Sequence, residues 1–260
     1  MRWMTRVAIA FVAVVVLAAP ARAQEFTDVW PGLVARTERA YVHGDASEMI
    51  AVRTTLQELL HTGLSGAQRS LARYTVAYLN WRLFTVPDSV PADERDDLLD
   101  EAVTLLREDL EDDDGNAESH ALLASVYGLQ IGSSRWRGIF LGRRASAASD
   151  RALELAPGNP RVLLLGGVGK LNTPRMFGGG EDVAESLLRR AVAAFRTEPP
   201  GRPWPRWGRI DAHAWLGQVM ARRGDFDAAR RHYRDALAIE PAFGWVRGVL
   251  LPALDREGRP

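Results

Sequence analysis

The feature that most constrains the fold of this 260-residue chain is a stretch at residues 210–243. It reads IDAHAWLGQVMARRGDFDAARRHYRDALAIEPAF. Leu216 and Gly217 belong to a first segment with helical periodicity, and Gly224 indicates a turn because glycine accepts backbone angles that other residues avoid. A second helical segment follows, and Pro241 is expected to end it because proline lacks the backbone N–H. The stretch therefore predicts two short helices joined by a tight turn.

The small and aromatic residues of the second segment, Ala229, Tyr233 and Ala236, recur at helical spacing. Together with the Leu-Gly pair and the terminal proline, this spacing resembles the 34-residue unit of the tetratricopeptide-repeat family. His213 stands where the family has tryptophan, and Met220 stands where it has tyrosine. The resemblance implies an all-α fold, a right-handed solenoid of about four to five helical hairpins with capping helices.

Helical periodicity continues upstream of this stretch, so we expect residues 24–258 to form one solenoid. The predicted repeats occupy residues 31–63, 67–115, 117–158, 159–196 and 210–243. An amphipathic segment at residues 245–254 is predicted to cap the last repeat, because a terminal repeat has no neighbour to cover its apolar face.

The spacing of equivalent alanines shows where the repeats carry extra residues. Ala102, Ala145, Ala184 and Ala229 follow one another at intervals of 43, 39 and 45 residues, all longer than the ideal unit. The additions fall at residues 128–143, 170–180 and 197–209. The first two lie between the helices of a repeat, so we expect two insertion loops stacked at one edge of the solenoid. The third precedes a repeat and should lie at the opposite edge.

The N-terminal residues have the pattern of a secretory signal peptide. Arg2 and Arg6 precede a short apolar run, and Ala21 and Ala23 provide the small residues of a cleavage site before Gln24. Residues 1–23 are therefore predicted to be removed, which places the mature chain in the periplasm or outside the cell. The chain has no cysteine, so neither a lipid attachment site nor a disulfide is expected, and no stable membrane anchor remains after cleavage.

The first two insertions contain the strongest candidates for binding residues. They combine guanidinium groups, aromatic rings and glycines, a mixture that suits an anionic group beside an apolar one. The candidates are Arg135, Trp136, Arg137, Lys170, Asn172, Arg175 and Phe177. Three glycines at 178–180 precede a helix, a position from which backbone amides can bind an anion. The alternative is that Trp136, Phe140, Met176 and Phe177 only plug the edge of the solenoid.

Trp204 and Trp207 lie in the third insertion, PPGRPWPRWGR, where proline restricts the backbone. Two exposed tryptophans on such a segment would form a docking strip for a protein partner. The alternative is that they attach a long linker to the helices, because a large aromatic ring gains much from burial.

The composition argues against several classes of function. The 33 basic and 33 acidic residues balance, so no basic field for nucleic acid is expected. The five histidines are scattered without a paired spacing on one helix, and no G-x-S-x-G is present. We therefore predict no metal site, no cofactor and no catalytic residue.

These observations predict a non-enzymatic protein that mediates protein–protein interaction in the cell envelope, as a scaffold or adaptor. The groove formed by the first helices of the repeats would bind a protein or peptide partner. Residues expected to face it are Asn80, Gln130, Lys170, Asn172 and Gln218. Residues 172–180 and the later Trp-Gly-Arg element resemble a secreted bacterial subgroup of the family whose activity is unassigned. Two alternatives remain, a periplasmic component that binds a small ligand for a solute transporter and a carboxylate-dependent hydrolase.

Overall fold

Paired helices make up the protein in a computed structural model that describes residues 24–133, 138–199 and 201–257. Within these residues every regular element is helical. The first helix, α1, spans residues 24–43. The others are α2 (Ala46–Leu60), α3 (Gly66–Thr85), α4 (Arg95–Asp112), α5 (Ala117–Ser133), α6 (Gly138–Leu155), α7 (Pro160–Asn172), α8 (Glu181–Thr197), α9 (Arg209–Arg222), α10 (Phe226–Ile239) and α11 (Leu251–Glu257). A 3₁₀ turn at Arg175–Phe177 and a π-helical turn at Val246–Leu250 complete the elements. The predicted signal peptide, residues 1–23, lies outside the described residues.

Polar side chains fix where several helices begin. Ser65 accepts a hydrogen bond from the Gln68 amide and donates its own amide to the Gln68 side chain, which satisfies two amides that the helix leaves unpaired. Asn159 caps α7 and is followed by proline at the first helical position, where a missing N–H costs nothing. These local signals explain why the chain breaks into helices at these points.

Consecutive helices pack as hairpins, and the two helices of each hairpin are buried differently. Every residue from Tyr74 to Leu83 of α3 is buried, as is every residue from Arg161 to Gly167 of α7, so these first helices are covered on all sides. On the second helices α8 and α10 only one face is buried. This arrangement confirms the helical-hairpin solenoid that the repeat spacing predicts.

The last hairpin is held by a contact that needs glycine. A Cβ atom at Gly217 would lie 2.3 Å from Cε1 of Tyr233 and 2.6 Å from its Cδ1. Tyr233 is itself fully buried on α10, so its ring has little freedom to move. The Leu-Gly and Tyr positions of the repeat are thus one packing unit, in which the absent side chain makes room for the ring.

We expect Gly217→Ala to lower the free energy of unfolding by about 1–3 kcal/mol, because the added methyl group overpacks the α9–α10 contact. Urea denaturation followed by circular dichroism measures the change. Gly128→Ala is the matched control, since a Cβ there meets nothing within 4 Å and alanine favours a helix over glycine by about 0.5–1 kcal/mol. Equal effects at the two positions would contradict the packing argument.

The first and last segments of the solenoid touch each other. The ring of Tyr41, on α1, lies 5.7 Å from that of Phe243, just before the C-terminal helix. A Cβ at Gly244 would lie 3.4 Å from the carbonyl oxygen of Val42, so the backbones also approach closely. The array of hairpins therefore closes on itself instead of ending in two free caps.

The first insertion is not a loop. The prediction of an insertion loop at 128–143 is wrong for most of its length, because α5 continues to Ser133 and α6 begins at Gly138. The added residues lengthen the two helices, which pack against each other as a longer hairpin. The second insertion does contain a turn, between the end of α7 and the start of α8. Among the described residues, no helix is both long and apolar enough to cross a membrane.

Candidate functional site

The third insertion covers the inner face of the solenoid. Trp204 and Trp207 are each only 6% exposed, so the expectation that they form an exposed docking strip is wrong. The Trp207 ring lies 4.9 Å from that of Tyr78 and 5.8 Å from that of Trp81, both on α3. Its Nε1 donates to the Tyr74 hydroxyl at 3.2 Å. The alternative is therefore the one observed: the two rings attach the long linker to the helices.

Ion pairs hold the same segment along its length. Arg161 at the start of α7 donates to Glu198 at 2.6 Å, and Arg202 donates to Glu118 at the start of α5 at 2.7 Å. Arg206 makes two hydrogen bonds to Glu38 of α1, one of them 2.9 Å long. Arg161 is fully buried and Glu118 nearly so, which shields their pairs from water, whereas the Arg206–Glu38 pair is partly exposed. The three pairs position the segment against three first helices.

A buried charge pair lies beneath the tryptophans. Nη2 of Arg82 donates to Oδ1 of Asp211 at 2.9 Å, and the Tyr41 hydroxyl donates to the same oxygen. The Arg82 guanidinium carbon lies 3.9 Å from the centre of the Tyr41 ring and 4.2 Å from that of Trp81. Burial lowers the pKa of Arg82, but Asp211 and the tyrosines raise it more, so its net pKa is above the ordinary value and the side chain stays charged. The cluster joins α1, α3 and α9 and is structural.

The inner face is therefore closed at α3 and α9, and the expectation of an open groove there is wrong. Asn80 is fully buried and donates to Glu101 of α4 at 2.8 Å. Gln130, also buried, donates to Asp100 of α4 at 2.6 Å. Both amides thus connect first helices to α4, and neither faces a groove.

Large apolar side chains are instead exposed where two neighbouring hairpins turn. Met176 is 82% exposed and Phe177 69% exposed in the turn between α7 and α8, and Phe140 near the start of α6 is 76% exposed. The alternative that these three plug the solenoid edge is therefore wrong. We call Phe140 together with the turn at residues 173–180 the hairpin-turn edge. Arg135, Trp136 and Arg137 lie outside the described residues.

The turn at residues 173–180 is closed by its own backbone. The amides of Gly178, Gly179 and Gly180 donate to the carbonyls of Arg175, Pro174 and Lys170, at 3.0, 3.2 and 2.9 Å. The three amides are therefore already used, and the expectation that they bind an anion is wrong. A Cβ at Gly179 would lie 2.0 Å from the Thr173 carbonyl oxygen, so only glycine permits this closure.

The polar candidates of the second insertion surround this turn. Arg175 is exposed and contacts Glu181 at 3.2 Å, and Asn172 accepts a hydrogen bond from Arg222 at 3.1 Å. Lys170 is half-buried, and its carbonyl accepts the Gly180 amide. The structure thus brings Lys170, Asn172, Arg175 and Phe177 together around one turn.

Residues 210–243, which cover almost all of α9, all of α10 and the turn between them, match the family described as tetratricopeptide repeat. These residues form a tetratricopeptide repeat. Over 91% of its length it is similar to 99% of TTC0263, a thermophilic tetratricopeptide-repeat protein of Thermus thermophilus, with a TM-score of 0.61 and 16% identity. Over 76% of its length it is similar to 94% of the HusA haemophore from Porphyromonas gingivalis, with a TM-score of 0.61 and 24% identity. At these identities the likeness shows the fold alone.

No curated protein matches the sequence of this chain. Tetratricopeptide repeats typically bind protein partners and are generally not catalysts.

Sequence reasoning missed one group of side chains. His213 of α9 and His232 of α10 face each other with ring centres 6.3 Å apart, and Asp235 lies between them. The two histidines are 19 positions apart, so a search for paired spacing on one helix does not find them. The repeat register is the signal that would have found them, because it places these positions on facing sides of one hairpin.

Proposed function

We propose that the protein is a non-enzymatic scaffold or adaptor that binds a protein partner through the hairpin-turn edge. The observation that carries this proposal is the exposure of Met176 and Phe177 on a turn whose backbone is fixed. We further propose that it acts in the periplasm or outside the cell, which rests on the signal-peptide pattern of residues 1–23.

The chemistry of this edge suits a protein interface. Methionine and phenylalanine are enriched at the centres of interfaces, and arginine is enriched with them, whereas scattered single apolar residues are ordinary on a surface. Here Met176 and Phe177 are adjacent, and the exposed Arg175 precedes them. Phe140 lies near the start of α6, in the neighbouring hairpin.

The rigidity of the turn strengthens this interpretation. Its three glycine amides are hydrogen-bonded within the turn, and Gly178 closes the 3₁₀ element in the left-handed region at φ 78°. A contact surface that is already ordered loses less conformational entropy when a partner binds. Met176 and Phe177 are thus presented in a fixed position, although neither is needed to fill the core.

The ligand-carrier alternative has less support from the described residues. An apolar pocket closed by the insertions would favour it, whereas two clefts among the described residues open between α2, α3 and α4, far along the chain from both insertions. Charged side chains line much of them, among them Arg53, Arg73 and Glu101. A small apolar ligand would have to leave water for a surface that is about half polar.

The hydrolase alternative would need two carboxylates free to exchange protons. Glu118 and Glu198 do approach each other, but Arg161 and Arg202 lie between them and contact both. The guanidinium groups thus occupy oxygens of both carboxylates, which are not free to contact a substrate. These residues hold the linker in place instead.

The test is capture of partners from cell-envelope extract by the immobilised protein, compared with the double variant Met176→Ser/Phe177→Ser. We expect the dissociation constant of the captured partner to rise at least about tenfold, because central aromatic and methionine contacts dominate interface energies. Val249→Ser removes an exposed apolar side chain in the π-helical turn before α11 and serves as the control. A partner that binds the double variant as tightly as the original protein would refute the proposed site.

A further inference from the structure

The hairpin formed by α9 and α10 brings two imidazoles and a carboxylate together. Nδ1 of His213 lies 3.6 Å from Oδ2 of Asp235, and Nδ1 of His232 lies 3.8 Å from the same oxygen. One ligand atom from each of the three residues lies within 4.8 Å of the other two. His213 is buried, His232 half-buried and Asp235 exposed, so the group extends from the core of the hairpin to its surface.

The two inward nitrogens have no hydrogen-bond partner. Nδ1 of His213 and Nδ1 of His232 are both buried and unsatisfied, and the whole His213 residue is only 8% exposed. A buried polar atom without a partner is destabilising. In native proteins such an atom usually contacts a bound water or ion, or has a functional role. Both nitrogens lie on the side of Asp235, so one ion would satisfy both.

We propose that His213, His232 and Asp235 bind a divalent transition-metal ion of the zinc class. Two imidazole nitrogens and one carboxylate oxygen are a ligand set that zinc accepts, with metal–ligand distances of about 2.0–2.2 Å. In a tetrahedral site of that size neighbouring ligand atoms lie about 3.3 Å apart. The two nitrogen–oxygen distances, 3.6 and 3.8 Å, are close to this value. All three ligand atoms lie within 4.8 Å of one another, so side-chain rotations would have to bring them closer together around the ion. The fourth position lies on the side of exposed Asp235, where water or a partner's side chain supplies the remaining ligand.

The surroundings set the strength of this site. The pKa of each imidazole is below its ordinary value, and burial is the largest cause. Guanidinium groups lower it further: Arg196 and Arg209 act on His213, and Arg189 and Arg231 act on His232. Neutral imidazoles are the form that binds metal. The guanidinium groups repel a divalent cation, whereas Asp235 and Glu185 attract it. We therefore expect binding weaker than in a closed structural zinc site.

The test uses the untagged protein, because a histidine tag would itself bind the probe. After dialysis against Zn²⁺, elemental analysis is expected to find one zinc ion per chain. Co²⁺ in its place is expected to give the visible absorption bands of a four-coordinate ion. His232→Gln and Asp235→Asn are expected to raise the dissociation constant at least about tenfold. Both positions are more exposed than His213, so these variants are expected to fold.

His61→Gln, an exposed histidine on another hairpin, is the matched control and is expected to bind zinc as the original protein does. A second measurement follows the melting temperature, which should rise with Zn²⁺ and fall back with a chelator in the original protein and in the control. The proposal is overturned if the original protein retains no zinc. It is also overturned if His232→Gln and Asp235→Asn bind zinc as tightly as His61→Gln.

Discussion

Asp211→Ala is expected to lower the free energy of unfolding by about 3–5 kcal/mol, because it leaves the Arg82 guanidinium buried without its counter-ion. Asp211 is 1% exposed and accepts hydrogen bonds from both Arg82 and Tyr41. Three helices thus lose their common acceptor at once. Urea denaturation monitored by tryptophan fluorescence measures the loss.

Two further variants separate charge from hydrogen bonding at this position. Asp211→Asn keeps an acceptor of the same shape and is expected to cost less than alanine. The double variant Arg82→Met/Asp211→Leu removes both charges and is expected to recover much of the loss, because apolar replacements avoid the desolvation of the pair. If alanine alone costs less than about 1 kcal/mol, Arg82 has access to water and the cluster is not the junction described above.

Trp207→Ala is expected to cost about 3–5 kcal/mol, as truncation of a buried tryptophan leaves a cavity that the surrounding helices fill only in part. The ring contacts Tyr78 and Trp81 and donates to Tyr74, so its removal also leaves a buried hydroxyl without its donor. The third insertion, residues 197–209, should then detach from the helices at a lower free energy than global unfolding requires. Limited trypsin digestion should cut after Arg206 faster than in the original protein.

Phe177→Ala provides the comparison, because it removes an aromatic ring that is mostly exposed. Its effect on stability is expected to stay within about 0.5 kcal/mol, as for most surface substitutions away from special features. Equal sensitivity of the two variants to trypsin would show that the segment is not held by Trp207.

The repeat spacing at 210–243 was enough to predict the fold, because Gly217 and Tyr233 interact within one hairpin and their separation is set by helix geometry. The packing of the third insertion against the helices was not predictable in the same way. Trp207 packs on α3, with Tyr74 lying 133 positions earlier, and no local pattern encodes that pairing. A proline-rich segment with two tryptophans looks the same in sequence whether it binds a partner or its own helices.

Two other features of the structure differ from the sequence-based expectation, or were left open by it, for similar reasons. The long interval between Ala102 and Ala145 predicted a loop in the first insertion, but α5 continues to Ser133 through Gly128 and Gly132, where packing against α6 outweighs the weak helix preference of glycine. The exposure of Met176 and Phe177 was left open by the sequence, since an apolar pair in a turn fits either a plug or a contact surface. Only the path of the backbone at 173–180 distinguishes the two.

The contact between the first and last segments of the solenoid changes how its hairpins depend on one another. In an open repeat array each unit interacts only with its neighbours, so terminal units can fray or be removed while the rest stays folded. Here the hydroxyl of Tyr41 bonds to a carboxylate 170 positions away. Such non-local contacts raise the contact order, which slows folding and couples distant units. The hairpins therefore form one cooperative unit, in which the first and last segments have to be present together.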